Sequence, residues 1–316
     1  MRKGRDNMRV LLIGIEGQRG WHGAGESHDF AFVDYFGEYD NSEQQTKDWI
    51  AGRCETFGDA SGAFDRFKPD FAAVNVPNFA KNDTALEIAI IERGIPLLIS
   101  KLRLRTKSDF FETLGASKKR GASVYIGEFY RYDPRAATAK RVIDDGLIGT
   151  PEQVRYECGL PYGEVSPWEL SYERLALEDL AFHHLSVLHY LIDITPKNAF
   201  AVSASPIKGG ASRGSASSLV LATEGGCNVS HAIDWHNTMR ETDFFGNITI
   251  DGSKGGISIE PGKVYAKVWG GERREVSVSG GGETTAPEKI MAGKLSEVWT
   301  IEQFKPVVDC IYAKTP

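Results

Sequence analysis

The chain has 316 residues, enough for one or two substantial cores, and its 41% hydrophobic and 25% charged content is that of a globular protein in water. A net charge of -6 at pH 7 excludes an electrostatic hold on nucleic acid or on an anionic membrane, and no apolar run reaches the roughly 18 residues of a membrane span. Four scattered cysteines with no CxxC pair read as apolar fillers in a reducing compartment, and no His/Cys/Asp group has the spacing of a metal site. The charged first residues lack the apolar stretch of a signal peptide, so a cytoplasmic protein is expected, with Met8 an alternative start.

Strand and helix signals alternate through the first part. Arg9–Ile13 is a short apolar run ended by Gly14, as in a buried parallel strand; Phe30–Val33 is a second, ended by Asp34, and Phe71–Val76 a third, ended by Pro77 and Asn78. Thr84–Arg93 has helical periodicity and stops at Gly94; Ile95–Ile99 is a strand, Lys107–Arg120 a helix and Ser123–Ile126 a strand. Such repetition builds a doubly wound parallel sheet with ligands beyond the carboxyl ends of its strands, placing Gly14, Asp34, Pro77, Asn78, Lys101 and Glu128 along one crevice.

After a helix over Thr138–Asp145, strand patterns dominate from Gln153 to Val278, with one helix inserted through Leu191 and a last helix over Ile301–Ala313. The expectation is a Rossmann-type domain over 1–127 and, over 128–316, a domain with a large, mostly antiparallel open sheet. That sheet leaves one face to be covered by a second subunit, so a homo-oligomer is expected. The abrupt stop at Pro316 leaves room for further sequence.

Glu178-Asp-Leu-Ala-Phe-His-His184 carries the densest chemistry. On a helix Asp179 and His183 lie one turn apart on one face, where a carboxylate orients an imidazole and raises its basicity for taking a hydroxyl proton. The plainer alternative is a core histidine satisfied by its neighbour. Trp168 and Tyr172 offer aromatic faces to a sugar ring or belong to the core. Arg131 holds an anionic substrate or pairs with Asp133 or Glu128; His236, aligned with Asp234 by strand alternation, binds substrate or lies at the surface. His184 and His189 read as packing residues.

The order of these signals resembles the glucose–fructose oxidoreductase and inositol dehydrogenase (Gfo/Idh/MocA) family over nearly the whole chain. The resemblance rests on the glycine turn after Ile13, on Pro69–Asn78, Gly94–Lys101 and Gly127–Pro134 with Gly146–Gly149, on Asp179–His183 and on Ile248–Ile257. It implies an NAD(P)-dependent oxidoreductase that moves a hydride between the cofactor and a secondary alcohol of a sugar, cyclitol or polyol. In that role Lys101 and His183 handle the proton, Asp179 orients His183, and Gly14, Gly17, Gly20 and Asp34 hold the cofactor with Pro77, Asn78 and Lys101. Asp34, about twenty residues after Gly14, has the spacing of the acid that accepts ribose hydroxyls and disfavours NADP.

Three departures go with this. Ser100-Lys101-Leu102 replaces the family's Glu-Lys-Pro, Arg174–Leu177 replaces a glycine-rich stretch, and Glu16 stands where the cofactor fingerprint has its second glycine. They keep a second function open: a non-catalytic sugar- or nucleotide-sensing or protein-interaction relative.

Overall fold

The computed structural model describes residues 7–15, 19–22, 28–77, 83–102, 107–161, 172–205, 214–237, 239–278 and 285–312. Gly17, Asn78 and Trp168 lie outside the described residues, as does Glu16.

Two units share the chain. The first runs to Glu128 and takes back Thr284–Phe304; the second spans Phe129–Glu283 and resumes at Lys305. The first break falls at 128/129, and the second unit is interrupted near its end.

In the first unit, β1 (Arg9–Ile13), α1 (Arg19–His22), β2 (Asp29–Val33), α2 (Gln44–Arg53), β3 (Cys54–Phe57), α3 (Ala60–Arg66), β4 (Phe71–Val74), α4 (Thr84–Glu92), β5 (Leu97–Ile99), α5 (Lys107–Arg120) and β6 (Val124–Ile126) follow one another. Across the sheet the order is β6-β5-β4-β1-β2-β3, all parallel. The order reverses between β1 and β4, which is the switch point where open α/β sheets bind ligands. The central strands are apolar because both faces are covered: β1 from Val10, β4 and β5 are buried throughout. The sequence signals missed β3, an edge strand whose Glu55 and Thr56 are exposed, and α2, which buries only Ile50. Asp83 caps α4 by accepting from the Leu86 N–H at 2.9 Å, and Gly94 ends it at φ +72°.

The second unit begins with α6 (Pro134–Asp144), capped by Asp133, and continues with β7 (Pro151–Gly159), a π-helical segment at Ala176–Leu180 and α7 (Ala181–Leu191). β8 (Pro196–Ala204), β9 (Ala216–Thr223), β10 (Asn228–Asp234), β11 (Asn247–Gly252), β12 (Gly255–Glu260), β13 (Lys263–Val268) and β14 (Arg274–Val276) complete an eight-stranded sheet. Its order is β14-β13-β12-β11-β7-β10-β9-β8, antiparallel except for β7 beside β10. α8 (Ala286–Met291) and β15 (Trp299–Thr300) belong to the first unit, where β15 adds an antiparallel edge to β6. α9 (Lys305–Ile311) returns to the second unit and packs on α7 and β8.

Period-2 alternation sorts this sheet into two faces. Leu219, His231, Tyr156, Ile248, Ile259 and Val264 form one buried row across six strands, on the face that α6, α7 and α9 cover. The opposite face exposes Phe200, Val202 and Val220, with Phe200 directly across from Val220.

Candidate functional site

In the first unit the expected ligand residues gather at the carboxyl ends of the parallel strands. Gly14 follows β1 at φ +83°, and a Cβ there would lie 2.3 Å from the Asn75 carbonyl oxygen, so the turn accepts only glycine. The backbone ladder runs one residue past each strand: Gly14 N–H donates to Val33 O, Asn75 N–H to Ile13 O, Ser100 N–H to Val74 O and Gly127 N–H to Ile99 O. Pro77 is buried two residues beyond Asn75. Lys101 follows β5, and its backbone is set by Gly127: a Cβ on Gly127 would come within 2.5 Å of Ser100 O. Leu102, at the family's proline position, is buried.

Two residues that the sequence reading did not single out belong to this cluster. Asn75 is fully buried and donates through Nδ2 to Gly14 O at 3.3 Å, while its Oδ1, like Ser100 Oγ, is buried with no hydrogen-bond partner among the described residues. Buried polar groups of this kind suit a polar ligand at the switch point. Glu38, nine-tenths buried, accepts from the Ile15 N–H of the glycine turn at 2.9 Å. Asp34 is exposed just beyond β2, and its carboxylate takes the Glu38 N–H at 2.8 Å and the Tyr39 N–H at 3.3 Å. A glycine turn, two unmet polar groups and a ribose-type acid fit a dinucleotide in kind, with Glu38, among the described residues, set against its phosphates.

Gly20 lies elsewhere. It sits in the single turn of α1, where a Cβ would meet Thr285 Oγ1 at 2.5 Å and the Pro287 ring at 3.0 Å, so its smallness lets α8 pack against α1. Trp21 beside it is fully buried, with its ring 6.4 Å from Phe30 and 6.5 Å from Phe71.

In the second unit, Asp179 and His183 are both buried. The expected plain helix opens instead as a π turn, with Asp179 in the wide part and His183 in the first turn of α7. π turns insert one residue into a helical ladder and often occur at functional sites. Tyr172 donates its hydroxyl to Asp179 Oδ1 at 3.3 Å, so Tyr172 touches the acid. The His183 ring is flanked by the rings of Phe129 at 4.9 Å and Tyr130 at 5.0 Å, and Phe129 is half exposed.

Behind His183 a second histidine anchors the helix. His184 Nε2 donates to the Phe244 carbonyl at 2.8 Å, which leaves its Nδ1 as acceptor for His231 Nε2–H at 3.0 Å. Tyr156 stacks on His184 at 4.4 Å and donates its hydroxyl to Phe245 O at 2.6 Å. Burial holds both imidazoles neutral, pushing His184 well below its ordinary range and His231 down to about 3. His184 thus fills the packing role expected of it.

For Arg131 and His236 the geometry adds neighbours that the sequence did not indicate. Arg131 lies over the rings of Tyr132 and Tyr190, at 5.4 and 5.2 Å, whereas Asp133 is taken by Arg135 at 2.7 Å. Arg135 also reaches Asp243 at 2.8 Å and stacks on Phe245, and these partners raise its already high pKa further. His236 does not share a strand face with Asp234, because β10 ends at Asp234, whose Oδ1 accepts the His236 N–H at 3.0 Å and turns the chain. His236 bridges to Pro161 instead.

By strand order and switch point the first unit is a Rossmann-like, doubly wound sheet, and the second is a large, mostly antiparallel open sheet. Residues 136–258 match the model of the GFO/IDH/MocA C-terminal domain. An inositol 2-dehydrogenase/D-chiro-inositol 3-dehydrogenase of Halalkalibacterium halodurans is 32% identical over 122 residues, which are 38% of this chain and 34% of that protein. A D-apiose dehydrogenase of Paraburkholderia graminis is 22% identical over 209 residues, 64% of this chain and 54% of that one. The matches thus span about a third and about half of the length of these two relatives. In fold, the chain is similar to an oxidoreductase from Agrobacterium radiobacter crystallised with NAD+, L-tartaric acid and magnesium. The TM-score is 0.79 at 16% identity, covering 96% of this chain and 94% of the other. Over residues 136–258 the chain is thus similar to the C-terminal domain of the Gfo/Idh/MocA family.

Proposed function

We propose that the protein is an NAD(P)-dependent oxidoreductase moving a hydride between the nicotinamide cofactor and a secondary alcohol of a sugar, cyclitol or polyol, with NAD preferred. The observation that carries this is the Asp179–His183 pair, a buried carboxylate and an imidazole at the start of α7, inside the segment that matches the family model. A bound nicotinamide ring would supply the hydride acceptor. His183 takes the hydroxyl proton as the alcohol is oxidised, and Asp179 stabilises the imidazolium that results. Lys101 places an ammonium where charge develops on the substrate oxygen. Asp34, an acid at the end of β2, favours free ribose hydroxyls over a 2′-phosphate. Arg131, Tyr172 and His236 are the described candidates for contact with substrate, Tyr172 acting through Asp179.

Turnover of NAD with a panel of inositols and aldoses tests the assignment. Lys101→Ala and His183→Asn should each lose about 10²–10⁴-fold in kcat while keeping the wild-type melting temperature. Wild-type turnover in Lys101→Ala would remove that residue from the mechanism.

We further propose that the protein forms a homo-oligomer through the uncovered sheet face, supported by Phe200, Val202 and Val220, which are 44–56% exposed there. A reducing, cytoplasmic setting is supported by four free cysteines, of which Cys158, Cys227 and Cys310 are buried. Among the described residues no helix is long and apolar enough to cross a membrane.

The Glu38 contact favours a second reading, a non-catalytic relative whose glycine turn no longer takes phosphate. A protein that binds neither NAD nor NADP at millimolar levels, followed by intrinsic tryptophan fluorescence, would be that relative.

A further inference from the structure

We propose that Glu38 sets how tightly this protein holds a dinucleotide, by occupying a backbone donor of the glycine turn and strapping the β2–α2 loop across it. The inference rests on the dinucleotide reading above.

The amide of Ile15 is the first N–H after Gly14, on the turn that a pyrophosphate must approach in a Rossmann domain. Here that donor is taken by a carboxylate from within the chain, 2.9 Å away and nine-tenths buried. A carboxylate is the same kind of partner as a phosphate oxygen, anionic and accepting, so the two compete for one site. Glu38 also brings a fixed negative charge to a turn that would receive two more, and in a partly desolvated crevice such repulsion is several times stronger than in water.

The rest of the loop holds Glu38 in place. Phe36 covers Gly14, with ring carbons 2.7 and 3.0 Å from where a Cβ would sit, so glycine is needed under the ring as well as at the turn. Asp34 clamps the loop from its start through the Glu38 and Tyr39 amides, and Ser42 clamps it from the far side by donating Oγ–H to Glu38 O at 2.8 Å. Asp34 is therefore engaged by the same loop that blocks the turn. Lifting Glu38 off Ile15 and releasing Asp34 for ribose hydroxyls are one movement of residues 34–39. The strap is thus a built-in competitor of the cofactor, and part of the binding energy of the dinucleotide is used to open it.

The test is calorimetric titration of NADH into the whole protein and into two variants, with melting temperatures as a check on folding. Glu38→Gln keeps the shape and an acceptor but removes the charge; Glu38→Ala removes both. We expect Glu38→Ala to bind NADH about tenfold tighter, every 1.4 kcal/mol being a factor of ten, and Glu38→Gln to recover part of that gain. The gain of Glu38→Gln should shrink between about 0.05 and 0.5 M salt, as screened repulsion requires. Equal NADH affinity in all three proteins would overturn the strap and leave the dinucleotide reading standing. No NADH binding by any of them at millimolar concentration would overturn both. If Glu38→Ala melts early, the nearly isosteric Glu38→Gln decides the matter alone.

Discussion

Burial fixes the charge state of the two imidazoles behind His183. His231 titrates near 3 and His184 also well below its ordinary 6.5, because an imidazolium in that apolar site would lose its hydration without a carboxylate to replace it. Among the described residues the pair faces Tyr130, Tyr156, the Phe244 carbonyl and the neighbouring His183. The folded pKa values are depressed, so the unfolded chain binds more protons as pH falls below 6.5. The stabilisation is complete above that value and is lost on the way down to about 3. From pH 6.5 to 5 the loss for His231 alone is about 2 kcal/mol. In urea titrations across this range, His231→Gln should therefore show a visibly flatter dependence of stability on pH than wild type; an unchanged slope would mean that the ring is not held neutral. At this scale the sequence was partly legible. It marked Asp179 and His183 by their spacing and gave His184 to packing. It was silent on Glu38 and Asn75, whose importance lies in partners 23 and 61 residues away.

Among the elements, the segment from Phe71 to Gly127 shows how strand ends are aimed. Gly127 is glycine because its Cα hydrogen faces the Ser100 carbonyl, where a methyl would sit 2.5 Å from the oxygen and 2.9 Å from Ser100 Cα. Gly127→Ala must push β6 away from the bend that carries Lys101. We expect a stability loss of about 1–3 kcal/mol in chemical denaturation. If Lys101 acts in the proposed reaction, turnover should fall further, by up to about 10²-fold, since a shift near 1 Å in a reacting group has that effect. Equal kcat with lowered stability would show that Lys101 tolerates the shift. Elements with a strong apolar period, such as β1, β4 and α5, stood out in the sequence. β3 did not, being a half-exposed edge, and β15 did not, being two residues long and dependent on β6 for its pairing. The π turn at Ala176–Leu180 was also hidden. Leu175, Ala176, Leu177 and Leu180 are all buried, and an apolar run buried all round gives no periodicity by which to tell a π from an α turn.

At the scale of the second unit, the largest consequence of the fold is a sheet face that exposes apolar side chains among the described residues. Phe200 and Val220 pair across β8 and β9 on the open face, and at 44% and 56% exposure they cost solvation that a second copy of the chain would relieve. On the proposal that this face pairs two copies, Val220→Glu should leave monomers by light scattering at micromolar concentration where wild type is larger, with the melting temperature of the isolated unit little changed because the site is outside its core. Wild-type protein that is already monomeric at these concentrations would dismiss the interface. The division of the chain itself was half legible. The change from alternating strands and helices to consecutive strands marks Glu128, but nothing in residues 285–304 shows that they complete the first unit.

The sequence by itself determined the succession of strands and helices, the two kinds of sheet and the acid–imidazole pair. These follow from the periods of 2 and 3.6 residues, which are local properties of the chain. Only the tertiary structure decided which donors and acceptors remain open to a ligand: that the Ile15 amide is taken by Glu38, that Asp34 binds its own loop, and that Arg131 leaves Asp133 to Arg135. A hydrogen bond is made to whatever polar group the folded chain brings within about 3 Å, and that distance is a property of the packed loops rather than of spacing along the sequence.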